Sequence, residues 1–548
     1  MSDLNAQPKA GPRPRPCPSC DYDLSGAAGP VCPECGGPIA PQTPAAPART
    51  PLMELLIVAA PTVATMTSYT IMQFVDKLLV SRIGPEPVYV GAQGNGGLAA
   101  FVPIALAHGV LTVINTYVSQ NMGAGRPERG PAYAWNGMWM GLAFWLLILV
   151  PYGFLLPTLF RIAHMDPQQV GLASAYGQIL VFGAFITMAT RAIAQFFYGM
   201  HKAGIIMIAG VAANILNVGL SYALIFGVWG FPKMGIAGSA VGTVISTGLE
   251  LAIPMALFLG PKFNRLYATR AAWRPSWQHV KDLVRIGWPG GLMFGNEMIC
   301  WAYFMVHLVS QFGPHHATAG WIAHQYMSLS FMPTVGISVA CTAVVGKYMG
   351  MGRPDLAARR AWLGLRVSMV YMGLCGLAFL LFRRPMIGLF LEDGADPAIA
   401  AEVIRIGSVF LVATATFQLF DAIAMVLGGS LRGAGDTIVP GVVTVVLSWA
   451  LIVGGGELLV RQAPGLGSLG PWIAAAAYII ALSLFFLGRF AGGRWRSIRL
   501  IHSAQESARG QFEGVVDGIG PQAEIARPAP MTDPDRKPAV PVPAPDRT

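Results

Sequence analysis

Three carboxylates stand inside runs of the sequence that are otherwise apolar. Asp421 lies in "FQLFDAIAMVLGG" (Phe417 to Gly429), Glu297 in "WPGGLMFGNEMICW" (Trp288 to Trp301), and Asp76 in "QFVDKLLVSRIG" (Gln73 to Gly84). A central Asp in a membrane helix costs about 2.5–3.5 kcal/mol, so each such acid needs a partner and a purpose. Asp421 has Gln418 and Thr414 at i−3 and i−7, which gives one helical face a polar stripe. An apolar carboxyl can exchange a proton, and two ionised carboxylates with nearby hydroxyl or amide oxygens suit Na⁺. The residues alone leave either cation open.

The remaining ionisable groups well inside apolar segments are Lys77, His108, Arg191, Glu250 and His307. One reading of the acids is simple pairing with a buried base such as Arg191 or a histidine; two acids placed in corresponding parts of one half argue for cation binding instead. Glu250, His108 and His307 read as helix-end residues or as satisfied interhelical hydrogen bonds. Lys77 adjoins Asp76 but points about 100° away on a helix, so it is free to snorkel outward and leave Asp76 facing inward. Trp301, Tyr303 and Trp321 are either cation–π surfaces or interface anchors. Cys300, Cys341 and Cys375 read as packing residues.

A different chemistry sits near the N-terminus. "CPSCDYDLSGAAGPVCPECGG" sets Cys17, Cys20, Cys32 and Cys35 as two CxxC pairs, a spacing that closes a tetrahedral structural Zn²⁺ site. Disulfides are the alternative, disfavoured in a reducing cytoplasm.

The elements that must hold the acids are membrane spans. Of 548 residues 54% are hydrophobic and 12% charged, against about 25% charged in ordinary soluble domains. Apolar stretches long enough to cross a bilayer fall near 52–82, 90–122, 132–160, 169–200, 204–228, 235–260, 284–312, 316–349, 361–383, 396–428, 437–460 and 470–490. Residues 1–50 lack the apolar run of a secretory signal, which predicts a cytoplasmic N-terminus. The loops on that side are the more basic, with Lys262, Arg265, Arg270, Arg274, Lys281 and Arg285 in one connection alone. The net charge of +10 therefore reads as topology, with no nucleic-acid partner expected.

The two halves repeat. "GVLTVINTYVSQNMGAGRPE" (from Gly109) superposes without a gap on "GISVACTAVVGKYMGMGRPD" (from Gly336), an offset of 227 residues. Similar offsets align Pro61 with Pro289 and Lys202 with Arg432. Six helices, a linker and six more is the internal symmetry of a secondary transporter. The expected architecture is all-α: a Pro-rich segment 1–50 with a zinc ribbon at 17–35, a six-helix bundle 51–260, a linker 261–283, a second bundle 284–491 and a disordered tail 492–548.

These residues carry a resemblance. The "GAGRPE" and "GMGRPD" loops, "FVDKLLVSRIG", "LRGAGDT" (Leu431 to Thr437) and the Pro289-to-Glu297 spacing resemble the multidrug and toxin extrusion (MATE) family, NorM-like branch, over roughly residues 52–490. The resemblance implies cation-binding roles for Glu297 and Asp421, a further site at Asp76 with Asn217 and Ser221, and Gln418 beside Asp421. Lys77 and Ser221 depart from the family pattern. It further implies a monomeric antiporter, not an enzyme, that exports small organic cations from a cell's inner membrane, both termini cytoplasmic, in exchange for Na⁺ or H⁺. Two rival expectations are a lipid-linked oligosaccharide flippase, for which only Arg191 offers cationic lining, and a membrane-tethered zinc-ribbon interaction protein. The glycines of "GNGG" and "GAGRPE" lack the strand–turn–helix context of a phosphate loop.

Overall fold

The computed structural model describes residues 50–84, 88–163, 165–390 and 397–501. The four cysteines of the expected zinc ribbon lie outside the described residues. Twelve of the described helices are long and apolar enough to cross a membrane: α1 (Pro51–Ser81), α2 (Val88–Gly123), α3 (Pro127–Ile162), α4 (Pro167–Gly199), α5 (Ala203–Phe226), α6 (Ile236–Leu259), α7 (Trp277–Phe312), α8 (Pro314–Gly350), α9 (Pro354–Leu381), α10 (Pro397–Ala434), α11 (Ile438–Gln462) and α12 (Leu469–Ala491). No strand occurs among the described residues.

Prolines set several starts, because their missing N–H is unpaired in a first turn anyway. α4 begins at Pro167 behind Asp166, whose carboxylate accepts from Gln168 N at 2.9 Å. Gly227 ends α5 at φ 71°. Two helices start seven residues earlier than the apolar runs indicate. α7 begins at Trp277, within the expected linker, because Leu283 and Ile286 already face the core while the charged side chains between them hide the run. α9 begins at Pro354, since Arg359 and Arg360 dilute its first turns. The connection that remains before α7 contains only the short helix Pro261–Tyr267 and one 3₁₀ turn.

The repeat is visible as geometry. α2 and α8 are the central helices: α2 packs on α4, α7 and α8, and α8 packs on α9, α10 and α2. A Cβ on Gly123 would fall inside the contact distance of the Lys347 carbonyl, and one on Gly350 inside that of the Gln120 carbonyl. Gly123 and Gly350, like Gln120 and Lys347, are related by the 227-residue offset, so one contact occurs twice. Cross-half hydrogen bonds surround it, from Thr116 Oγ1 to the Arg432 carbonyl (2.9 Å) and from Gln120 Nε2 to the Gly433 carbonyl (3.0 Å). The halves are thus pressed backbone to backbone at the ends where α2 and α8 finish.

The "LRGAGDT" turn after α10 is anchored by an ion pair. Arg489 Nε meets Asp436 Oδ2 at 2.8 Å and Nη2 meets Oδ1 at 3.1 Å, a two-pronged contact with Asp436 only 5% exposed. Leaving one buried partner uncompensated costs about 3–5 kcal/mol. Asp436→Asn and Arg489→Met should each lower the melting midpoint of detergent-solubilised protein sharply, and the double replacement by Leu and Met should recover part of it.

Candidate functional site

Glu297 and Asp421 come together. Glu297 lies on α7, eight residues after Pro289, and Asp421 on α10; the charge of Glu297 bears directly on Asp421. Tyr478 of α12 donates its hydroxyl to Glu297 Oε1 at 2.9 Å. Asp421 is buried and makes no hydrogen bond or ion pair among the described residues. Neither acid forms an ion pair with a base among the described residues. Glu297 is half-buried on α7.

Gln418 is buried and donates Nε2 to Ser330 Oγ of α8 at 2.9 Å, and its Oε1 has no partner among the described residues. Two carboxylates and a phenol therefore meet from α7, α10 and α12, with the Gln418 amide about one turn from Asp421 on α10. Oxygen-only donors of this kind suit a hard monovalent cation or a shared proton. Arg432, which the sequence placed in a loop, belongs to the last turn of α10 and is electrostatically linked to Glu297.

The first half holds the third acid. Asp76 is buried on α1, where Gln93 Nε2 donates to its Oδ2 at 2.7 Å and Ser239 Oγ lies 2.9 Å from both oxygens. The Ser221 hydroxyl, buried without another partner, approaches the same carboxylate. Asn217 sits one turn away on α5, its Nδ2 donating to Thr243 Oγ1 at 3.2 Å with Oδ1 unpaired. Lys77 is exposed, as the helical geometry required.

Several other residues resolve cleanly. Glu250 accepts from the Tyr69 hydroxyl, an interhelical bond, whereas the Nε2 of buried His108 has no partner among the described residues. His307 lies near the end of α7 and pairs with Glu457 at 3.2 Å. Tyr303 donates to the same Glu457 at 2.6 Å, a holding contact. Trp301 and Trp321 flank His324, with ring centroids 6.1 and 5.8 Å from it. Cys300, Cys341 and Cys375 are free thiols, the first two buried. Among the described residues no group of three or more His, Cys, Asp and Glu is placed to hold a metal ion.

Sequence reasoning missed Gln93, Ser239, Thr243, Ser330 and Tyr478. Ser239, Thr243 and Thr247 recur at i, i+4 along α6, which was the available signal; Tyr478 offered none.

Comparisons with known proteins meet this geometry. A family model described as MatE matches residues 61–223 and 293–454. The chain is 29% identical over 459 residues to a probable multidrug resistance protein NorM of Pseudomonas putida, covering 83% of this chain and 96% of that one. It is 28% identical over 386 residues to a probable multidrug resistance protein NorM of Thermotoga maritima, covering 69% and 79%. Among solved structures, a MATE in complex with MaL6 superposes with a TM-score of 0.74 at 20% identity, over 82% of this chain and 98% of that one. An outward-facing multidrug resistance MATE family transporter of the MOP superfamily gives 0.73 at 20% identity, over 82% and 97%.

Proposed function

Because this chain belongs to the MatE family, we propose that it is a multidrug efflux antiporter in which an inward-moving cation and an outward-moving organic cation compete for the Glu297–Asp421 pair. The observation that carries this reading is Asp421 itself: a buried acid with no hydrogen bond among the described residues, within the field of a second acid on another helix. Two such charges in one apolar space attract a cation strongly, and binding one cation lowers the attraction for the next. Na⁺ or H⁺ entering from outside therefore displaces the drug. Each charge moved through 100 mV contributes about 2.3 kcal/mol, enough to bias the alternation of the halves 51–260 and 284–491.

The Asp76 group, with Asn217 and Ser221, is a second cation-responsive centre in the first half. The basic 261–285 connection sets both termini in the cytoplasm of a cell whose inner membrane holds the transporter. The Cys17, Cys20, Cys32, Cys35 set is assigned to structural zinc on its spacing alone.

The test is efflux of a fluorescent organic cation from proteoliposomes under an imposed Na⁺ or pH gradient. One of the two gradients should drive efflux well above the gradient-free leak. Correctly folded protein that moves the dye under neither gradient overturns the proposal.

A further inference from the structure

The internal repeat gives the first half a charged cluster at positions equivalent to those of the Glu297–Asp421 pair. The offset that aligns Pro61 with Pro289 is 228 residues; it carries Tyr69 onto Glu297 and Glu250 onto Tyr478. Both pairs are hydrogen-bonded, Tyr69 to Glu250 Oε1 and Tyr478 to Glu297 Oε1, and both bonds span 181 positions. The same phenol–carboxylate bond thus joins the first and last helix of each half, with donor and acceptor exchanged. An Asn–Ser bond lies beside each: Asn214 Nδ2 donates to Ser68 Oγ at 2.8 Å, and Asn296, the counterpart of Ser68, donates to Ser448 Oγ at 2.7 Å.

The third member differs in charge. The offset of 230 residues that aligns Lys202 with Arg432 carries Arg191 onto Asp421. Where one half has an acid, the other has a guanidinium. Arg191 makes no hydrogen bond or ion pair among the described residues, yet its field reaches Glu250, Tyr69, Tyr198 and His108. Thr190 Oγ1 approaches the Thr247 carbonyl at 3.5 Å, which holds α4 against α6 within a turn of both charges. Gly210 of α5 passes Tyr69 closely, since a Cβ there would stand 3.5 Å from its hydroxyl. Arg191, Glu250 and Tyr69 each keep some accessible surface, and buried His108 adds an Nε2 with no partner.

We infer that Arg191, Glu250 and Tyr69 form a ligand site for a zwitterion, an organic amine that also bears a carboxylate. An unpaired arginine inside a membrane-spanning helix is costly and calls for a partner, and its five N–H donors form a fork that fits a carboxylate in two-point contact. The Tyr69 hydroxyl occupies Oε1 of Glu250 and leaves Oε2 to take the ligand's ammonium. With one charge of each sign, the site does not favour the bare cation that Glu297 and Asp421 attract. This inference rests on the efflux reading of the other half.

The test uses a zwitterionic rhodamine with a free benzoic carboxylate and the ethyl ester of the same dye, a cation of nearly equal size. Binding to the purified full-length protein is followed by fluorescence polarisation. Arg191→Gln should weaken the free acid tenfold or more and alter the ester less than twofold; Arg191→Lys, which keeps the charge without the fork, should fall between for the acid. Ester binding reports that the variants are folded. Equal losses for both dyes would make Arg191 structural and overturn the inference, as would unchanged binding of both. If the wild-type protein binds the ester but shows no Arg191-dependent preference, the zwitterion site alone fails; if it binds neither dye, the efflux reading fails with it.

Discussion

Asp421→Asn is expected to abolish gradient-driven efflux of an organic cation while the protein keeps its fold. Asp421 is buried but forms no hydrogen bond or ion pair among the described residues, so an amide of the same shape breaks no contact. Stability should stay within about 0.5 kcal/mol, as for a substitution that removes no named interaction. Function should respond differently. Coupling free energies of about 1–3 kcal/mol correspond to about 5–150-fold changes in affinity, and the charge repulsion that makes ion and drug exclude each other needs both acids. Proteoliposome efflux should therefore drop to the leak rate, with a normal melting midpoint. Glu297→Gln should act likewise, although it also weakens the bond from Tyr478. Full gradient-driven transport by Asp421→Asn would move the exchange to Asp76.

The second large effect is conformational. Gly123→Ala places a methyl group against the Lys347 carbonyl, and Gly350→Ala does the same against Gln120. Both obstacles are backbone atoms, which have no rotamer to yield. Overpacking of this kind costs about 1–3 kcal/mol, and it falls only on the state in which the halves touch there. The population of that state should drop by roughly 5–150-fold relative to the state that separates them. Spin labels on the loops following α2 and α8 should report a longer mean distance by double electron–electron resonance, and the double variant should transport more slowly than either single one. Unchanged distances in the double variant would show that the contact is passive.

The spans and the repeat were legible because hydropathy and a twenty-residue internal match are strong signals. The Glu297–Asp421 pair was legible because acids in lipid-facing sequence are rare. What escaped was polarity of ordinary appearance. Tyr478 stands in "AAAAYII" like any packing aromatic, and only the fold brings its hydroxyl to Glu297. Gln93 and Ser239 become ligand-like only because α2 and α6 both meet α1 at Asp76. Arg432 read as a loop charge because the apolar run stops before it, whereas backbone hydrogen bonding carries α10 on to Ala434. Hydropathy marks where lipid begins, and helices do not end there.

The doubled contact of Gly123 with Lys347 and of Gly350 with Gln120 has the form of an isologous interface, the kind that joins two identical subunits about a two-fold axis. In a true homodimer every substitution is made twice, so an acid that binds a cation on one side binds one on the other. Here the two subunits are fused in one chain. The glycine seam keeps the symmetry where the halves must meet, and fusion frees the interiors to diverge, so that Asp421 and Arg191 occupy equivalent places with opposite charge.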